Sequence, residues 1–195
     1  MREVVIKELE ESASINRTIA QNLSDTIVDA AQIILKAYRA GGKVLLIGNG
    51  GSAADAQHIA AELVGCFRLE RAALPAIALT TNTSVLTALA NDYGYDTVFS
   101  RQLEALAGDK DVLIAISTSG TSANILKAVG TAHTKGVMVI ALTGESGGQL
   151  KEVADLTISV PSDNTPRIQE AHITIGHIIC RLVETWLFDE SSDIS

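Results

Sequence analysis

Five short apolar runs recur along the chain: KVLLI (43–47), AIAL (76–79), VLIAI (112–116), VMVIAL (137–142) and LTISV (156–160). Strands of this kind are covered on both faces, which is the condition of a parallel sheet lying between helices. Helical patterns fill most intervals, at about 52–64, in pieces over 83–107 and at 122–135, and a last helix is expected over about 166–188. This βαβ alternation with right-handed crossovers predicts an α/β fold, a three-layer α/β/α sandwich around a mostly parallel five-stranded sheet. Two extra helices precede the first strand. One covers about 3–22, where Val5, Leu9, Ala13, Ile15 and Ala20 sit among charges, and the other begins at a Ser24-Asp25 cap and ends at Gly41-Gly42. No linker or low-complexity tract interrupts the chain, so a single domain is expected over 1–195, with the helices in 1–40 and an α/β core in 43–188.

At 195 residues and 47% hydrophobic content, one core suffices without a disulfide or metal staple. The 15 Lys+Arg against 23 Asp+Glu leave a net charge of -8. Such a field repels nucleic acid and anionic membrane, so neither is an expected partner, and a phosphorylated ligand needs a locally organised anion site. Cys66 and Cys180 are isolated, and the charged start MREVVIKELEES has no apolar signal core. No apolar run approaches the roughly 20 residues of a membrane helix. A cytoplasmic protein is expected.

Ligands of open α/β sheets sit beyond the carboxyl ends of the strands. Gly48-Asn49-Gly50-Gly51-Ser52 follows the first run, and Ser117-Thr118-Ser119-Gly120-Thr121-Ser122 follows the third. Each leads into a helix whose free N–H groups and dipole attract an anion. Either loop alone reads more readily as caps and turns. Together, with more hydroxyls than a cap needs, they favour an oxyanion or phosphate site. Neither has the Gly-Lys-Ser/Thr ending of a P-loop or the GxGxxG spacing of dinucleotide folds.

His58 and Glu62 are four apart, hence on one helix face and about 6 Å apart along its axis. They form a partial zinc site or a surface hydrogen-bonded pair, and spacing does not choose between these. His172 and His177 lie about 140° apart around a helix, so one of them faces a given site and spacing does not say which. Gln169 and His177 are about 12 Å apart along an ideal helix. They meet at one metal only from an irregular helix start or from different subunits. His133 reads as a solvated helix residue, and Arg181 and Glu184 as an ordinary charged helix face.

GNGGSAADAQHIAAELVG (48–65), ANDYGYDTVFSR (90–101), ISTSGTSANILKA (116–128), ALTGESGG (141–148) and RIQEAHITIGHIICRLVE (167–184) resemble the sugar isomerase (SIS) fold. More narrowly, they are similar to the phosphoheptose, or sedoheptulose 7-phosphate, isomerases. The likeness spans nearly the whole chain, and the pairing of HxxxE with RIQExHxxxxH is its specific part. The resemblance implies an aldose–ketose isomerase that converts sedoheptulose 7-phosphate to D-glycero-D-manno-heptose 7-phosphate through an enediol(ate). That step opens the route to activated heptose for lipopolysaccharide core and other glycoconjugates. The resemblance also implies a homotetramer with sites between subunits, and bound Zn2+ on His58, Glu62, Gln169 and His177. Glu62 would be the base and His177 its acid or shuttle partner. Asn49, Gly50, Gly51, Asn91 and Asp92, with Glu62 and Gln169, would face the sugar, and Ser117, Thr118, Ser119 and Ser122 would hold the phosphate. His172 is left as a structural histidine. The chemistry matches these residue types, since the reaction requires a base, an enediolate stabiliser and an acid.

The chain departs from that pattern in Val64-Gly65-Cys66-Phe67, where many members carry Arg at the position of Cys66. Arg68 is a stand-in that points in another direction, so fine substrate choice is open. Pro166, just before the RIQE segment, is sterically easy at a helix start. Three other functions compete. A non-catalytic relative associating with a replication initiator would lack the carboxylate and the terminal histidine, and both are present here. A sugar-phosphate-sensing regulatory domain usually accompanies a DNA-binding domain, for which the chain has no room. An isomerase of another sugar phosphate differs only in pocket shape.

Overall fold

The computed structural model describes residues 1–188, so residues 189–195 of the expected domain lie outside the described residues. The strands are β1 (Val44–Gly48), β2 (Ala76–Ala78), β3 (Val112–Ser117), β4 (Met138–Thr143) and β5 (Leu156–Ser159). They form one sheet in the order β2-β1-β3-β4-β5, and every pairing is parallel. β1 and β3 are buried along their whole length, as their apolar runs demand. The edges differ from the expectation of two covered faces. Ile77 in β2 is 38% exposed, and β5 is fully buried only at Ile158. An edge strand has a neighbour on one side only, and the covering helices do not wrap past it.

Because side chains alternate along a strand, the sheet divides the core in two. Val44, Leu46, Ile114 and Ile140 pack under α1 (Arg2–Asn22), α2 (Ser24–Arg39), α3 (Gly51–Val64) and α8 (Thr165–Phe188). Leu45, Ile47, Leu113 and Val139 pack on the other face, against α4 (Thr83–Tyr93), α5 (Ser100–Leu106), α6 (Ala123–Thr134) and α7 (Gly148–Val153). The result is the expected three-layer sandwich.

Three local details differ from the sequence reading. The Ser24-Asp25 cap does not form: Leu23 occupies the cap position, and the Ser24 hydroxyl donates to the Ala20 carbonyl at 2.6 Å. The first helix continues almost directly into the second, so Ser24 is the first residue of α2 rather than its cap. In α1 only Ile15 and Ile19 are buried, while Val5 and Leu9 face outward. The six-residue α7 was not visible in the pattern. Its start depends on a tertiary contact, since the Leu150 N–H donates to the Gly120 carbonyl at 2.9 Å.

Candidate active site

From β1 the chain crosses to β2 on one side, and β3 lies on the other, so the sheet's switch point falls between β1 and β3. The two glycine- and hydroxyl-rich loops meet there. Asn49 and Asn124 exchange reciprocal amide hydrogen bonds, both 2.9 Å, and the Tyr95 hydroxyl donates to Asn49 Oδ1 at 3.2 Å. Gly50 needs a positive φ of 56°, and any side chain at Gly51 would collide with the Gln169 amide. The GNGGS spelling therefore records one special turn and one close approach from α8. Asn91 and Asp92 form an exposed pair at the end of α4, with Asn91 Nδ2 donating to Asp92 Oδ1 at 2.9 Å. The following Tyr95–Thr97 turn carries the tyrosine that reaches Asn49.

The hydroxyls of the second loop are organised mostly toward one another. Ser117 Oγ accepts from the Gly120 N–H at 3.2 Å and lies 3.3 Å from Ser122 Oγ. Ser119 Oγ accepts from the Thr121 N–H and hydroxyl at 3.3 and 3.1 Å. Ser122 stands at the start of α6, yet its side chain makes no cap hydrogen bond. Thr118 and Ser119 line an open cleft of about 470 Å³, shared with Glu145, Ser162 and Asp163.

The second half of the site is built by α3 and α8, which lie side by side and run in the same direction. Gln169 meets Gly51 near their starts, and Gly176 makes room for Ile59 further along. One face of α3 then presents His58 and Glu62, and α8 answers with His177. His58 Nε2 is 3.1 Å from Glu62 Oε1 and 3.3 Å from His177 Nε2. One ligand atom from each residue lies within 4.8 Å of the others. The Phe67 ring stacks on His177, with centroids 5.4 Å apart and planes at 24°. His172, on another side of α8, is fully buried, with Nε2 3.1 Å from the Thr143 carbonyl. Burial depresses its basicity to about 4, against the pull of that carbonyl. The structure thus makes the choice that spacing left open. His177 faces the cluster and His172 the core.

Residues 9–144 match the SIS domain family. The chain is 54% identical to the phosphoheptose isomerase of Geobacter sp. (strain M21), over 96% of this chain and 98% of that one. The chain belongs to the phosphoheptose isomerase family of SIS proteins. Among solved structures, the phosphoheptose isomerase of Neisseria gonorrhoeae superposes with a TM-score of 0.90 at 45% identity, covering 94% of this chain and 98% of that one. The Francisella tularensis phosphoheptose isomerase gives 0.91 at 41% identity, covering 94% and 97%.

Within this SIS framework, Gln169 stands apart from the His58–Glu62–His177 cluster in a single chain. α8 is helical from Thr165 onward, so no irregular start shortens the axial rise of about 12 Å between Gln169 and His177. Glu184 requires a correction. It is 1% exposed rather than on a solvated face, and its carboxylate accepts from the N–H groups of Phe67, Arg68 and Leu69 at 3.1, 2.8 and 3.1 Å. Arg71 Nε adds a fourth bond at 2.9 Å. Burial pushes this carboxyl up, but the three N–H groups and the guanidinium together outweigh it and hold it below the usual range. The signal was present in the sequence: Glu184 follows Gly176 and Cys180 at helical spacing, on the buried stripe.

His133 is an exposed residue of α6, as read from the sequence, and it pairs there with Asp155 at 3.3 Å. Asp55, one turn before His58 on the same face of α3, was missed altogether. Its Oδ2 is buried without a hydrogen-bond partner, and burial raises its carboxyl to about 6 against the opposing pull of His58. Cys66 is exposed, and the Arg68 guanidinium lies over the Phe67 ring, 5.6 Å from its centroid. The stand-in charge is therefore one ring removed from His177.

Proposed function

We propose that this chain interconverts sedoheptulose 7-phosphate and D-glycero-D-manno-heptose 7-phosphate, an aldose–ketose isomerisation through an enediol(ate). The observation that carries this reading is the convergence of His58, Glu62 and His177, on a fold matched nearly end to end by phosphoheptose isomerases. Glu62 directs Oε1 at His58, leaving Oε2 to take the carbon-bound proton. His177 serves as its acid or shuttle partner at the neighbouring oxygen, a role supported by the two groups projecting from facing helices toward one point. Asn49, Gly50, Gly51, Asn91 and Asp92 serve the sugar hydroxyls, and Ser117, Thr118, Ser119 and Ser122 the phosphate. For the phosphate, the N-terminus of α6 adds its free N–H groups and dipole.

The cluster also fits a zinc ion. Two imidazoles and a carboxylate are a catalytic zinc donor set, and tetrahedral bonds of about 2.0–2.1 Å place neighbouring ligand atoms about 3.3 Å apart. Two of the three pairs, at 3.1 and 3.3 Å, match that spacing, and all three atoms lie within 4.8 Å of one another. A proton on His58 Nε2 serves Glu62 but then faces His177 Nε2 as well, so two-centre hydrogen bonds do not satisfy both contacts. His58, Glu62 and His177 would hold the ion, with Gln169 joining from another copy of the chain. When bound, zinc would polarise the substrate's oxygens and stabilise enediolate charge.

The same reading makes the assembly a cytoplasmic homotetramer with sites between subunits. Val4, Val5, Ile6 and Leu9 support it, since they stand exposed on α1 as an apolar strip that a second copy would cover. Among the described residues, no helix is long and apolar enough to cross a membrane. The deciding experiment mixes the protein with sedoheptulose 7-phosphate and follows product by NMR, with and without a chelator. Turnover that stops with chelator and returns with zinc is expected. No product from the metal-loaded protein overturns the assignment.

A further inference from the structure

The loop between α3 and β2 is exposed at Cys66, Arg68, Leu69 and Glu70, yet it is tied down at one buried point. The Arg71 and Glu184 side chains are 1% and 2% exposed and pair at 2.9 Å. Glu184 gathers the three consecutive N–H groups of residues 67–69. Arg71 turns its other nitrogens on the last turn of α3, donating to the carbonyls of Glu62 at 2.9 Å and Leu63 at 3.0 Å. The pair therefore joins three parts: the turn of α3 that carries Glu62, the loop, and α8. Glu184 lies two helical turns beyond His177, about 20° around the axis, and so on the same face of α8. Between these two anchors sits Phe67, stacked on His177. A buried ion pair adds little net stability over apolar residues of the same shape, whereas its directional bonds hold a geometry.

We propose that the Arg71–Glu184 pair is a positioning device: it fixes loop 66–69 so that Phe67 holds the His177 imidazole toward His58 and Glu62. The inference rests on the isomerase reading for its kinetic consequence, but not for its structural one. Phe67 is partly exposed at the edge of the core, so Phe67→Leu removes the ring while keeping an apolar side chain against the core. Groups that orient a metal ligand typically contribute 10–100-fold to affinity or activity. In the chelator-stripped full-length protein, Phe67→Leu should weaken cobalt(II) binding, read by its visible absorption, by at least about tenfold. It should lower kcat on sedoheptulose 7-phosphate by a similar factor while KM and Tm stay put, and Phe67→Tyr should restore both.

Arg71→Lys keeps the charge but loses the planar fork. Measured below its own melting transition, it should weaken cobalt binding in the same way. In the metal-free protein, the His177 ring protons should sit upfield under the Phe67 ring current and move downfield in Phe67→Leu. Unchanged cobalt affinity and unmoved His177 resonances in Phe67→Leu overturn the proposal. So does a raised KM at constant kcat, which would make the loop a substrate contact. If the parent protein turns over no sugar phosphate while the cobalt and NMR changes appear, the isomerase reading falls and the positioning role stands.

Discussion

His172 is held neutral in the core, and that state should be measurable as pH-dependent stability. Its Nε2–H donates to the Thr143 carbonyl, while Nδ1 is buried without a partner. A second proton would therefore place a charge in the core with no acceptor for it. Burial lowers the group from 6.5 to about 4, so as pH falls the unfolded chain takes up the proton first. The stability due to the neutral form is complete above about 6.5, drains away toward about 4, and is flat below. At about 1.36 kcal/mol per pH unit, the whole loss is about 3 kcal/mol. His172→Gln isolates this term, because the Gln amide can reach the same carbonyl and does not titrate. Asp55, raised to about 6, tilts the other way, favouring the fold at lower pH, but it is present in both proteins and cancels in the comparison. Urea unfolding of both proteins at one concentration, with chelator, from pH 7.5 to 4 gives the difference. The parent should lose about 3 kcal/mol relative to the variant across that range. Parallel stability curves would refute the assignment of a neutral buried His172.

Three further outcomes follow from the site and its surroundings. Glu62→Gln and His177→Asn should each lower kcat by about 10²–10⁴ with the fold retained by circular dichroism, whereas His172→Gln should leave kcat within a few-fold. Ser119→Ala with Ser122→Ala should raise KM for the sugar phosphate at least about tenfold, since each charge-assisted hydrogen bond contributes about 1.5–3 kcal/mol. An unchanged KM in the folded double variant would remove the phosphate from this loop. Light scattering should give the mass of four 20.5-kDa chains, and Leu9→Glu should reduce it by charging the exposed strip on α1. A monomeric parent at micromolar concentration would contradict a site shared between copies.

The sequence by itself determined the layered α/β architecture, because a strand covered on both faces must be apolar throughout, and five such runs alternate with helical patterns. It also located the two glycine- and hydroxyl-rich loops and the HxxxE and RIQExHxxxxH motifs, since each is written in consecutive residues or at one helical spacing. What it could not decide were relations between distant segments. His172 and His177 lie on different sides of a helical wheel, and nothing chooses between them until α3 and the sheet claim a side of α8 for each. Glu184 lies on the Gly176–Cys180 stripe, but its partners are known only once loop 66–69 and Arg71 converge on it from more than a hundred residues away. Ser24 was a cap by residue type, and α7 left no pattern to read. Packing decided both, because a hydrogen bond forms with whatever partner the fold brings within reach. The parallel run of α3 and α8, which brings His58 and Glu62 to His177 and keeps Gln169 two turns away, exists only in the tertiary structure, where helices distant in sequence pack on the same face of the sheet.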